Sequence, residues 1–372
     1  MTKLNPSLQH AMRLMQSGDL QAATRAIQLG LSAGGAPPAR NDDGFQGTSA
    51  RAESDIIDGE FVVVDRVDTS NQRDDPSTAT SRTQGAFDSR RHVGDGGELD
   101  YKLYVPAGLD TANAPLLLML HGCTQSPDDF ARGTRMNTLA GAHGYVVAYP
   151  EQSSSRNANR CWNWFRSSDQ QRGSGEPALL AALTRQLITT HHLDERRVYV
   201  AGLSAGGAMS AVLANTYPDL FAAIGVHSGL PIGLASDVPS AFAAMRSGGS
   251  RRVAIATNST SRPVPAIVFH GDRDSTVHSG NGHGVIAQSL ADHGVDAAAA
   301  KGANVERGIA AGGRHYTRTV HRLADGSIAA EHWIIAGAGH AWSGGDASGS
   351  YTDSTGPDAS AQMLRFFSEC AK

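Results

Sequence analysis

Three cysteines in 372 residues are too few for a fold stapled by disulfides. A basic excess is also missing. Lys and Arg total 32 against 36 Asp and Glu, a net charge of −4, whereas a nucleic-acid-binding domain is normally basic. The longest apolar stretch, Pro115–Leu120, falls far short of the ~20 residues of a membrane span. The opening Met1-Thr2-Lys3-Leu4-Asn5-Pro6-Ser7 carries no apolar run. No signal peptide is therefore expected, and a soluble, cytoplasmic protein is. There is no His-Glu-x-x-His and no Cys-x-x-Cys, so neither a metal nor a cofactor is expected. Hydrophobic residues, by contrast, make up 40%, enough to build a core over most of the chain. The 42 glycines imply many tight turns. The length exceeds one small domain of ~150 residues and leaves room for a large α/β domain of ~250.

Residues 5–32 predict a helical hairpin. Leu8, Ala11, Met12 and Met15 share one face, Gly18-Asp19 breaks the run, and Leu20, Ala23, Ile27 and Leu31 form a second stripe. The pattern faintly resembles one tetratricopeptide unit, which cannot bury its own face without neighbours. Two roles stay open for it: an appendage docked on the main domain, or a segment that binds a partner or a surface. Residues 33–84 read as a disordered linker, with Ala36-Pro37-Pro38-Ala39-Arg40 and Asp74-Asp75-Pro76-Ser77-Thr78 as linker chemistry. Only Phe61-Val62-Val63-Val64 interrupts it, as a short strand or docking element.

Residues 85–372 alternate short apolar runs with helix-length segments. Strands are expected at 100–105, 116–120, 145–148, 197–201, 223–226, 266–269 and 332–335, and helices at 176–191 and 207–217. Such alternation predicts an α/β fold with a mainly parallel sheet covered on both faces. Gly94-Asp95-Gly96-Gly97 reads as a turn just before the first strand, which makes an antiparallel start the expectation.

One stretch carries chemistry openly. The strand Val198-Tyr199-Val200-Ala201 runs into Gly202-Leu203-Ser204-Ala205-Gly206, and a small-residue helix start follows. In a strand–turn–helix elbow of this kind the serine hydroxyl protrudes at the top of the sheet, and Ser204 is the expected nucleophile. A serine needs a base, and the base a third group to orient it. The expected chain order is serine, acid, histidine. Asp272 and Asp274 both sit just past the strand Ala266–Phe269. Asp274 is the expected acid and Asp272 a solvated turn carboxylate. Seven histidines follow Asp274. Of these His340, on the loop after the strand 332–335, suits a base; His278, His283, His293, His315, His321 and His332 are read as structural or surface groups. The strand Leu116–Leu120 ends in His121-Gly122-Cys123. The backbone N–H groups of Cys123 and Ala205 are the expected donors to an oxyanion.

With these residues assembled, the chain resembles the polyhydroxybutyrate depolymerase family of esterases, which has the α/β-hydrolase fold. The matching stretches are Tyr101–Pro106, His121–Gln125, Cys161-Trp162-Asn163-Trp164, Gly202–Met209, His270–Val277 and Gly339-His340-Ala341-Trp342. The resemblance implies the same roles for Ser204, Asp274, His340 and Cys123, and suggests a disulfide between Cys123 and Cys161, with Cys370 a free thiol. It implies a serine esterase acting on short-chain polyhydroxyalkanoate or its oligomers. Feruloyl and acetylxylan esterases share the family, and a carbohydrate esterase is the second reading. A non-enzymatic interaction protein is the third. Trp162, Trp164 and Trp342 are either core aromatics or the lining of an apolar acyl pocket, with Trp162 the first choice for substrate binding. The family's secreted members add a polymer-binding domain, whereas 32 residues follow His340 here. If the hairpin of residues 5–32 is the surface-binding segment, its stripes are expected to dock on a storage granule or its coat proteins; the competing expectation is a hairpin packed on the hydrolase surface.

Overall fold

The aliphatic runs from Leu116 onward become strands without polar alternation because both faces of each are covered. The computed structural model describes residues 85–94, 96–248, 262–295 and 303–372. The hairpin expected over 5–32 and the linker expected over 33–84 lie outside the described residues. Strands β3 (Leu116–Leu120), β4 (Val146–Pro150), β5 (Val198–Leu203), β6 (Ala223–His227) and β7 (Ala266–Gly271) are buried along their whole length. They run parallel, and β10 (Ile328–Ile335) continues beside β7 in the same direction. Antiparallel strands finish both sides. The hairpin of β1 (Ala86–Gly94) and β2 (Gly97–Val105) joins at β4, and β9 (His315–Arg322) and β8 (Asn304–Ile309) join at β10. The sheet order is β1-β2-β4-β3-β5-β6-β7-β10-β9-β8.

The pleat sends alternate residues to opposite faces, and each face has its own core. Leu116, Leu118 and Leu120 of β3 and Val198 and Val200 of β5 pack with α3 (Gly175–His191), α4 (Ala205–Thr216), α5 (Val238–Ser247) and α6 (Gly280–Asp292). Leu117, Met119, Tyr199 and Ala201 pack on the other face with Phe130 of α1 (Pro127–Thr134), Met136 of α2 (Met136–His143) and Met363, Phe366 and Phe367 of α7 (Ala359–Glu369). Each fully buried aliphatic side chain contributes roughly 1.5–3 kcal/mol. The pair Asp128-Asp129 falls in the first turn of α1, where Ser126 caps the helix by accepting the Asp129 N–H at 3.3 Å. Among the described residues no helix is long and apolar enough to cross a membrane.

Two strand expectations are corrected. The antiparallel start is found, but the glycine turn has an unexpected strand before it: it joins β1 to β2, with Gly94 paired to Gly97. The polar run Asp88-Ser89-Arg90-Arg91 hides β1, because an edge strand with a solvated face needs few apolar residues. His332 does not begin its strand either, for β10 starts at Ile328. The charge at Glu331 breaks the apolar run, yet its side chain is buried. It accepts from Arg318 Nε at 3.0 Å, Trp333 Nε1 at 2.7 Å and the Arg365 guanidinium.

Candidate active site

Ser204 stands between β5 and α4 with φ 56° and ψ −117°, a conformation costly for any residue with a Cβ. The glycines around it are dictated by contact. A Cβ on Gly206 would lie 2.0 Å from the Leu120 carbonyl oxygen, and one on Gly202 would lie 2.4 Å from the Gly206 carbonyl carbon. That closeness sets the start of α4 against the loop after β3. The Ser204 N–H donates to the His227 carbonyl at 2.8 Å, and the Ser204 carbonyl accepts the Ala208 N–H at 2.9 Å.

Asp274 follows β7. Its Oδ2 accepts from His340 Nδ1 at 2.7 Å, and its Oδ1 accepts the backbone N–H groups of Thr276 (2.9 Å) and Val277 (2.8 Å). His270 Nε2, which donates to the Val277 carbonyl at 2.8 Å, lies 3.5 Å from Oδ2. Burial alone would raise the carboxyl pKa, but His270, His340 and the Val277 N–H hold it well below the usual carboxylate range. The group is therefore an anion at neutral pH. With Nδ1 bonded to Asp274, Nε2 is the ring nitrogen that His340 has left for a second partner.

The loop that carries His340 is pinned at several points. Asp272 Oδ1 accepts the Gly337 N–H at 2.6 Å, and the Arg273 N–H donates to the Ala338 carbonyl at 3.1 Å. His227 Nε2 accepts the Ser343 N–H at 3.0 Å, while its ring stacks on Trp342 at 5.2 Å. Burial, with His270 and His340 nearby, lowers the His227 pKa to about 3, so the ring stays neutral. Asp272 is the exposed turn carboxylate the sequence suggests, and it also anchors the base loop.

The oxyanion loop is organised by Gln125. Its Oε1 accepts the Gly122 N–H at 2.9 Å, and its Nε2 reaches Asp129 Oδ2 (3.1 Å) and the Ser350 carbonyl (3.1 Å). The Thr124 N–H donates to the Asn159 carbonyl at 2.7 Å. Among the described residues the Cys123 N–H, like that of Ala205 at the first position of α4, has no acceptor. His121 Nδ1 donates to the Gly122 carbonyl at 2.8 Å and its Nε2 accepts the Gln152 N–H at 3.1 Å. Burial lowers its pKa to about 4 and keeps it neutral. A disulfide joins Cys123 to Cys161, and Cys370 is a free, buried thiol.

The placement of Trp162 requires a correction. Its side chain is fully buried in the core beside His121, at 5.7 Å between ring centroids, and offers a substrate no surface. Trp164 and Trp342 are buried as well. Sequence reasoning missed His227, Gln125 and the anchoring role of Asp272. Only Gln125 left a local signal, three residues after the glycine whose N–H it takes.

A parallel sheet in this strand order, with a serine on the elbow after β5, an aspartate after β7 and a histidine after β10, defines an α/β-hydrolase. Residues 99–310 match the family described as Esterase PHB depolymerase, and the chain belongs to that family. It is 34% identical over 252 residues to the poly(3-hydroxyalkanoate) depolymerase C of Paucimonas lemoignei, covering 66% of this chain and 58% of that one. It is 30% identical over 311 residues to the poly(3-hydroxybutyrate) depolymerase of Ralstonia pickettii, covering 75% of this chain and 60% of that one. The match therefore spans about 60% of the length of these relatives. In fold it is similar to the acetyl xylan esterase from Aspergillus awamori, with a TM-score of 0.59 at 21% identity over 77% of this chain and all of that one.

Proposed function

We propose that this protein is a serine esterase that hydrolyses short-chain poly(3-hydroxyalkanoate) or its oligomers. The observation that carries the catalytic reading is the 2.7 Å hydrogen bond from His340 Nδ1 to a buried Asp274 whose other oxygen accepts two backbone N–H groups. Ser204 Oγ attacks the ester carbonyl as His340 Nε2 takes its proton, and Asp274 holds the imidazolium. The N–H groups of Cys123 and Ala205 receive the oxyanion, each worth ~3–4 kcal/mol in the transition state. The alcohol leaves with the proton from His340, and an acyl-enzyme remains on Ser204. Water, deprotonated by His340, attacks the acyl carbon, and the acid departs as Ser204 regains its proton.

The polyester part of the reading is supported by the names of the two depolymerases and by family membership. It is tested by comparing kcat/KM on 3-hydroxybutyrate oligomers, methyl ferulate and acetylated xylan. The proposal expects the oligomers to be the best substrates. A preference for ferulate or acetylated xylan turns the site to the carbohydrate-ester reading, and no hydrolysis of any of them contradicts both.

A further inference from the structure

Tyr351 stands where the oxyanion loop and the base loop meet. Its backbone carbonyl accepts the Trp342 N–H at 2.7 Å, two residues beyond His340. Its phenol oxygen lies 3.3 Å from the Thr124 hydroxyl, one residue beyond Cys123. Yet 47% of the residue is exposed, whereas Trp162, Trp164 and Trp342 are buried. Its backbone has φ 51°, in the left-handed region that disfavours a side chain. The neighbouring Ser350 N–H donates to Asp129 Oδ1 at 3.0 Å, and its carbonyl accepts from Gln125 Nε2 at 3.1 Å, so the surroundings hold Tyr351 in this strained form. A half-exposed ring adds little to the core, and glycine would suit this backbone better. Strain kept for an exposed aromatic beside two working loops calls for a reason outside folding.

We infer that Tyr351 is a specificity-determining residue, which binds the hydroxyacyl unit next to the scissile ester of an oligoester. The inference rests on the polyester reading above and names a side chain that recognises the repeat. A 3-hydroxyacyl unit alternates a small apolar branch with an ester carbonyl. The phenol ring offers an apolar face to the first. When the Thr124 hydroxyl donates to the phenol oxygen, the phenol proton is free to donate to the second. A one-unit ester has nothing to place there.

The test compares the parent protein with Tyr351→Gly and Tyr351→Phe on 3-hydroxybutyrate trimer and on methyl butyrate. Tyr351→Gly suits the left-handed backbone and is expected to fold, as its thermal unfolding will show. Its trimer-to-methyl butyrate ratio of kcat/KM falls about tenfold, mainly through KM for the trimer, the size of one lost apolar contact and one lost hydrogen bond. Tyr351→Phe keeps the ring and loses about threefold of that ratio. A merely structural role lowers both rates together and leaves the ratio unmoved, and that result overturns the inference. If the parent cleaves the trimer and the ratio is the same in Tyr351→Gly, the role of Tyr351 alone fails. If the parent does not cleave the trimer at all, the polyester reading fails and takes this assignment with it.

Discussion

The His227 carbonyl accepts the Ser204 N–H at 2.8 Å, and the ring of the same histidine accepts the Ser343 N–H at 3.0 Å. One residue at the end of β6 thus holds the elbow with its backbone and the base loop with its side chain. Replacing it by Ala keeps the first bond and removes the second. His227→Ala is expected to lower kcat about 10²-fold with little change in KM, because a base displaced by ~1 Å costs that much. Steady-state kinetics on a soluble ester check it, and an unchanged kcat would show that the loop is positioned without His227.

Gln125 is expected to matter through the oxyanion loop. In Gln125→Ala the Gly122 N–H loses its acceptor and the tie to Ser350 is lost. Loss of one oxyanion donor costs about 10²–10³ in kcat, and a displaced donor costs less, so a fall of about 10–100-fold is expected. Gln125→Glu retains an oxygen for Gly122 and should recover part of the rate. If both variants match the parent, Cys123 is held by the disulfide and by Thr124 alone.

The bridge between Cys123 and Cys161 spans 38 residues and is expected to stabilise the fold by about 3–4 kcal/mol. Mass spectrometry of protein purified without reductant should find one free thiol, at Cys370. Reduction should lower both the melting temperature and kcat, since Cys123 carries a proposed oxyanion donor. Three free thiols in active, unreduced protein would contradict this.

Acid should destabilise the fold through buried histidines. His121 and His227 have folded pKa values lowered by burial to about 4 and about 3. The unfolded chain, with His near 6.5, binds these protons first, so stability falls as pH drops from about 6.5 and levels off only below the folded values. Asp274, lowered as well, adds a further loss below about pH 4. Urea midpoints measured between pH 7.5 and 4 should decline, and more steeply in the parent than in His227→Gln. Equal slopes would remove His227 from the account.

Glu331 sits buried between Arg318 and Arg365. Arg318→Ala is expected to cost about 3 kcal/mol in urea unfolding, at the low end for breaking a buried pair, because Arg365 remains. A change below about 0.5 kcal/mol would mean that Arg365 alone satisfies the carboxylate.

The central strands and the elbow were legible because burial on both faces writes itself as an unbroken apolar run, and close backbone approach writes itself as glycine at positions 202 and 206. Strand β1 was not, since an edge strand reads as a polar segment. The residues that hold the site were hardest to see. The side chains of His227 and Asp272 act on backbone N–H groups distant in sequence, which no spacing records. Trp162 misled for the reverse reason: adjacency to a matching cysteine in sequence says nothing about which way a ring faces, and this one faces the core.

The central claim is that Ser204 is a nucleophile activated by His340, and the most direct measurement is the site and rate of labelling by a fluorophosphonate. The account predicts one label per chain, found by peptide mass spectrometry on Ser204, absent from Ser204→Ala and slowed by several orders of magnitude in His340→Ala. A label on any other residue, or equal labelling of Ser204 in His340→Ala, would contradict it.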